Sequence, residues 1–271
     1  MYAKKRITGA LALGLFLLSF GTAFALTPKE IMVKVDQLDD GETSISETTM
    51  ILLDEKGQQR VRKLKGFRKD YGKDTKSMNF FLAPADVKNT AFLSFDYDDI
   101  DKEDDSWLYL PALRKVKRIA AGNKKDSFMG TDFSYNDMNG LNVEDWEYQM
   151  VKESDMLDGH DCWVIGAIPA KARAQKVIED TDYLKRLAWV RKDNFMAIQG
   201  KIWVKKGKKI KIFHASDVEQ IQGIWTAKKI EMSTLVQGKR EHSTVLIFDK
   251  IKYNEGVSDD IFTTQRIERG L

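Results

Sequence analysis

Three features of the sequence predict a mainly β chain with few helices (α+β), built on a strongly curved antiparallel sheet. Beyond Gly41, apolar residues recur at period two, the spacing of a strand with one face on a core. The alternating runs number about a dozen and are joined by short turn signals with no βαβ alternation, which favours meander pairing. Several runs, such as Trp107-Leu108-Tyr109-Leu110 and Val245-Leu246-Ile247-Phe248, are apolar on both parities. A sheet with one solvated face alternates cleanly, so these strands need cover outside and an apolar filling inside. A sheet wrapped around a helix or a ligand cavity supplies both.

The chain has 271 residues. Its first 25 read as an export signal: Lys4, Lys5 and Arg6 form a basic start, residues 7–22 are uncharged and mostly apolar, and Ala23-Phe24-Ala25 makes a small-residue cleavage site. The alternative is a retained anchor helix, since residues 7–26 just reach spanning length. The glycines at 9, 14 and 21 and the A-x-A ending favour cleavage before Leu26, leaving 26–271 as a single domain. The net charge of +3 belongs wholly to this segment; the remaining 246 residues carry 41 bases and 41 acids. Such a balance excludes nucleic-acid binding by bulk charge, which needs a basic excess.

Thr27-Pro28-Lys29-Glu30 opens a short amphipathic helix over 27–38, with an N-cap, a proline in the first turn and an acid at N3. Ile31, Val35 and Leu38 share its apolar face. Shared-parity sets then mark strands: Met78, Phe80 and Leu82; Trp146, Tyr148 and Met150; Ile198, Ile202 and Val204; Ile224, Thr226, Ile230 and Met232; Val245, Ile247, Ile251 and Tyr253. Asp54-Glu55-Lys56-Gly57, Asp158-Gly159, Lys206-Gly207 and Gln237-Gly238 are the turns between strands. Two stretches interrupt the pattern. Residues 169–182 suit a loop or a helix. Residues 120–140 form a polar loop that nevertheless carries Phe128, Met129, Phe133, Tyr135 and Met138. Five large apolar groups insert either into the core or into a pocket.

No hydrolase elbow, phosphate loop, dinucleotide fingerprint or zincin motif is present, and no cofactor or metal is implied. His160, His214 and His242 lack ligand spacing. The lone Cys162 sits in a strand-like run and reads as a buried thiol. The acidic run Asp96–Asp105 lacks the glycine and glutamate positions of a calcium loop and reads as a solvated hairpin tip. Basic runs at 60–69, 114–118 and 205–211 read as solvated strand faces and edge protection. Their functional alternative is attraction to anionic lipid headgroups or to an acidic partner.

Residues 107–119, Trp-Leu-Tyr-Leu-Pro-Ala-Leu-Arg-Lys-Val-Lys-Arg-Ile, followed by 127–138, Ser-Phe-Met-Gly-Thr-Asp-Phe-Ser-Tyr-Asn-Asp-Met, resemble the outer-membrane lipoprotein-sorting protein family, which is related to the periplasmic lipoprotein-localisation carriers. Weaker agreement extends over most of the chain beyond residue 25. The resemblance implies an open, incomplete β-barrel with helices across its mouth and an apolar concave face that shelters acyl chains. It also implies work beside a membrane exporter of the resistance-nodulation-division type.

Residues and resemblance together point to a non-enzymatic periplasmic carrier of lipid acyl chains or a lipidated protein, in transient contact with membranes. Apolar walls alone can hold such a cargo, at about 0.8 kcal/mol for each methylene removed from water. The candidate lipid-binding residues are Phe80, Leu82, Phe92, Trp107, Tyr109, Phe128, Met129, Phe133, Tyr135 and Met138. The alternative is a non-carrier accessory subunit of an envelope complex, its core filled by its own side chains and its basic faces used for docking.

Overall fold

The computed structural model describes residues 25–140 and 142–271, so the expected export signal lies outside the described residues apart from Ala25. Helix α1 spans Pro28–Asp36. The Thr27 hydroxyl accepts from the Glu30 N–H at 3.2 Å, and the Glu30 carboxylate accepts from the Thr27 N–H at 2.7 Å, which satisfies two otherwise orphaned donors. Ile31 and Met32 are buried; the helix stops before Leu38, which therefore lies outside the expected apolar face.

Thirteen strands follow among the described residues, all in one antiparallel sheet. Six precede the interruption at 119–145: β1 (Thr43–Leu53), β2 (Gln59–Tyr71), β3 (Asp74–Ala83), β4 (Ala91–Asp96), β5 (Asp105–Leu110) and β6 (Lys115–Arg118). Seven follow it: β7 (Trp146–Leu157), β8 (His160–Pro169), β9 (Tyr183–Arg191), β10 (Ala197–Val204), β11 (Lys209–Ile221), β12 (Ile224–Val236) and β13 (Lys239–Tyr253). Each strand pairs with its neighbour in sequence, and β13 returns to pair with β1. The only break in sequential pairing falls between β6 and β7, which form the two free edges. The sheet is an unclosed barrel, and residues 119–145 cross from one edge to the other.

Two-residue turns drive the meander. Leu157 pairs with His160 across Asp158-Gly159, and Val236 with Lys239 across Gln237-Gly238. Both residues of each turn have positive φ, the geometry that matches strand twist and that glycine adopts without strain.

The crossing segment defines an inner face. Met50, Leu64, Phe81, Phe92 and Leu108 lie on one side of β1–β5 and pack on Phe128 and Ile119 of the segment. On β7–β9 the same side carries Ile165, Ala188 and Val190 under α1, and Trp146, Ala167 and Tyr183 under helix α2 (Ala174–Thr181). Residues 169–182 are thus partly helical, settling the choice between loop and helix. The outer side of β2–β5 carries Phe67, Met78, Phe80 and Leu93, with Trp107 and Tyr109 packed against them. It is covered by Val257, Phe262 and Ile267 of the C-terminal tail with its helix α3 (Thr264–Arg269). Two covers therefore explain the strands of β2–β5 that are apolar on both faces, whereas Val245–Phe248 of β13 stays half-buried on both. Of the α-helices among the described residues, α1 and α2 lie on the inner side and α3 on the outer.

Two β-bulges alter the expected faces. Lys63 opposes Ala83 while Leu64 opposes Phe81, so Leu82 is an extra residue and stands 39% exposed. Phe81 takes the inner position and is fully buried against Phe128. In β13, Asp249 is the extra residue between Phe248 and Lys250. Val245 and Ile247 therefore face outward, while Ile251 and Tyr253 face inward, although all four have the same parity.

The bulge at Leu82 makes a sharp prediction. Phe81→Ala leaves a cavity and lowers unfolding free energy by about 3–5 kcal/mol, whereas Leu82→Ala costs within about 1 kcal/mol. Urea titrations of the two variants check the contrast; equal losses would refute the register.

Candidate functional site

The site is the inner face together with the segment that occupies it. Phe128 stands at its centre, with ring centroids 5.0 Å from Phe92, 5.5 Å from Tyr135 and 6.2 Å from Phe81. Met129, Tyr135 and Met138 pack against the same cluster, and Phe133 is buried as well. Backbone bonds tie only its ends, from the Ile119 N–H to the Ser106 carbonyl at 2.8 Å and from the Ala170 N–H to the Asp145 carbonyl at 2.9 Å; between them, among the described residues, the isolated bridge is internal, Ser127 with Ser134.

Polar side chains hold it instead. Asp132 is 4% exposed. Its carboxylate accepts from the hydroxyls of Thr234 at 2.5 Å and Thr244 at 2.8 Å and from Nδ1 of His242, while its own N–H donates to Thr244 at 3.0 Å. All three partners project inward from β12 and β13. The bond to Asp132 raises the His242 pKa, outweighing the partial desolvation that opposes it. Asp137 makes the second anchor. It accepts from the Tyr183 hydroxyl at 2.7 Å and from Lys211 Nζ at 3.2 Å, while Lys211 also donates to the Tyr183 oxygen at 2.9 Å. Burial, and then the neighbouring carboxylate, push the Tyr183 hydroxyl well above its ordinary pKa, so it stays a donor. A third tie runs from Arg62 to the Met129 carbonyl at 2.8 Å. One segment thus touches β2–β4 and, through Asp132 and Asp137, β9 and β11–β13, which requires the sheet to curl around it.

Between the clusters, the inner face retains an apolar strip. Cross-strand register places Phe213, Ile230, Leu246 and Phe248 on it, each half-buried. Of these, only Leu246 packs against the plugged cluster.

The expected lipid-binding residues divide between the two faces. Phe92, Phe128, Met129, Tyr135 and Met138 come together inside, with Phe133 buried in the same segment. Phe80, Trp107 and Tyr109 belong to the outer cluster, and Leu82 is the exposed bulge residue. Sequence reasoning missed Phe81, Phe213, Ile230 and Phe248 and the anchors Asp132, Asp137, Tyr183 and His242.

Charged residues line a cavity of ≈ 640 Å³ beside α1 and α2, including Asp36, Asp96, Asp104, Lys124 and Arg173. The acidic run is therefore more than a solvated tip. Asp96 is half-buried, and burial together with Asp104 pushes its carboxyl up to about 6. Among the described residues, no group of three or more His, Cys, Asp or Glu is arranged to hold a metal ion. Cys162 is buried, and burial pushes its thiol up to about 11, far from a reactive thiolate.

Two predictions follow from these geometries. Asp132→Ala strands two buried hydroxyls and costs about 3 kcal/mol in chemical denaturation, with residues 126–138 gaining proteolytic sensitivity. For Asp96, the folded pKa lies above the unfolded value, so its contribution to stability is present below about pH 4 and is lost as pH rises through about 6. Asp96→Asn should therefore stabilise the protein by about 1–2 kcal/mol at pH 8 and by nothing at pH 4, in thermal melts across that range.

Comparison with known proteins agrees with this architecture. A family model described as "uncharacterized protein" matches residues 73–269. A DUF1329 family protein from Desulfovibrio piger is 30% identical, with a TM-score of 0.78 over 88% of this chain and 96% of its own. A domain from Vibrio parahaemolyticus, described as that of an outer membrane lipoprotein-sorting protein, is 26% identical, with a TM-score of 0.78 over 89% of this chain and 98% of its own. A LolA superfamily protein from Nitrosomonas europaea shares the fold, with 18% identity and a TM-score of 0.65 over 89% and 99% of the two chains. A search of curated proteins found no match. The resemblance drawn from residues 107–119 and 127–138 is borne out, as is the unclosed antiparallel barrel: the chain belongs to the DUF1329 family.

Proposed function

We propose that the chain is a periplasmic carrier that shelters acyl chains of a lipid or a lipidated protein on the inner face of its sheet. The observation that carries this reading is the half-buried strip Phe213, Ile230, Leu246 and Phe248, beside an aromatic plug that is held between its two ends by side chains. The part of the segment around Phe128 and Tyr135 can leave the inner face without breaking a strand pair. An acyl chain that runs along the strip and past Leu246 takes the place of Phe128, Met129 and Tyr135 against β1–β5, at about 0.8 kcal/mol for each buried methylene. The polar ties of Asp132 and Asp137 are shed or remade against water, so the exchange is close to balanced, as a carrier that must release its cargo requires.

Supporting the location, residues 1–25 have the organisation of an export signal, and no helix of the described residues is long and apolar enough to cross a membrane. Supporting the cargo class is the likeness to a domain described as lipoprotein-sorting. An inner-membrane exporter of the resistance-nodulation-division type is the proposed donor or acceptor. Supporting binding over chemistry, the second ring nitrogen of His242 faces Glu241 at 3.6 Å rather than a hydroxyl nucleophile. One observation favours the accessory-subunit reading: Phe128 and its neighbours already fill the inner face of β1–β5.

Mass spectrometry of lipids extracted from gently purified protein separates the two. The carrier reading expects bound acyl lipid and a severalfold fall in its amount in Ile230→Gln, which places an amide on the strip. Protein free of lipid, both as isolated and after incubation with it, supports the accessory subunit instead.

A further inference from the structure

Among the described residues, the outer face of β8–β12 has no cover of the kind that the C-terminal tail gives β2–β5. At one end of it, register aligns Trp203, Ile210 and Leu235 in a row, all partly exposed. Ile168, 51% exposed, ends β8 on the same side, and Leu184, 42% exposed, is an extra residue where β9 pairs with Val204. Large apolar groups standing in water need an explanation when they cluster.

Cations ring them. The Lys185 and Lys201 ammonium groups lie 4.6 and 5.0 Å from the Trp203 ring centroid, one on each neighbouring position. The β10–β11 turn just beyond adds Lys205, Lys206 and Lys208, and the facing β12–β13 turn adds Lys239 and Arg240, all exposed. Acids are few here and already engaged. Glu241 pairs with Lys209 at 2.7 Å, the Asp182 carboxylate accepts from the Lys206 backbone, and Glu147 accepts from that of Lys171. Among the described residues, Lys209 is the one cation of this end in an ion pair. The chain beyond residue 25 is neutral overall, so this local excess is a matter of placement rather than composition.

We propose that this end of the sheet is a docking surface for an anionic lipid bilayer. Trp203, with Ile168 and Leu184, sits at the level where headgroups meet acyl chains, and the surrounding lysines reach the phosphates, an arrangement suited to an amphipathic ring flanked by flexible cations. An acidic protein surface would satisfy the lysines but leave the exposed apolar groups without a reason. The charges act together within a Debye length of the membrane, so binding weakens as salt rises. The inference deepens the carrier reading by placing its membrane contact; its test reads membrane association and not cargo, so either can fail alone.

The test is co-sedimentation of the processed protein, recovered from the periplasm of an exporting host, with vesicles. Phosphatidylglycerol-containing vesicles should retain it at low salt, pure phosphatidylcholine vesicles should not, and added salt should release it. The triple variant Lys205→Glu, Lys206→Glu, Lys208→Glu alters an exposed turn and should keep the wild-type melting temperature while losing about a hundredfold in partitioning. Trp203→Ala should weaken binding severalfold at unchanged charge. Wild-type protein that ignores anionic vesicles overturns the proposal, as does a triple variant that binds equally well. Retention on immobilised polyglutamate without vesicle binding also overturns it, in favour of an acidic protein partner.

Discussion

The fold depends on how one covalent crossing fills the space it must span. Because β13 pairs with β1, the meander runs unbroken from β7 round to β6, and the chain must cross between these two edges through residues 119–145. Such a segment carries backbone groups that the sheet does not pair. Turns within the segment satisfy part of that backbone. Its buried carboxylates bind it to the strands that follow it, Asp132 to Thr234, His242 and Thr244 and Asp137 to Tyr183 and Lys211, while Arg62 of β2 holds it from the other half. An unpaired carboxylate at either depth would be costly, so each fixes the segment and the curl of the sheet together.

That arrangement divides the molecule into two differently covered regions. Around β2–β5, the sheet is covered on both sides, by Phe128 and its neighbours within and by Phe262 and Ile267 without. Around β11–β13, it is covered on neither side as completely, and strand residues on both faces remain half-buried. The first region behaves as a conventional core. The second presents an apolar strip inward and a cation-rimmed apolar row outward, and both proposed contacts, with acyl chains and with a bilayer surface, fall there.

The candidate site was legible where chemistry and local pattern coincide. Phe128 and Tyr135 stand out because a polar loop has no local use for such rings. Asp132 and Asp137 in the same loop did not stand out, because a carboxylate in a loop is ordinarily solvated; only partners about a hundred residues away in sequence, such as Thr234 and His242, give Asp132 its role. Parity reasoning assigned Leu82 to a cavity and overlooked Phe81 because a bulge shifts the side-chain period by one residue without altering composition. Asp249 has the same effect in β13.

What the sequence determined by itself is local: the helix cap at Thr27, the positive-φ hairpin turns, the strand-rich meander, and the demand for cover on two faces. These follow from short-range hydrogen bonding, backbone sterics and side-chain period, which act over a few residues. The tertiary structure alone decided which cover each face receives, which aromatic rings meet across the sheet, and where a balanced set of charges leaves a basic edge. Those outcomes rest on strand register and on carboxylates satisfied by distant partners. Register is a property of paired strands, which no single stretch of sequence contains.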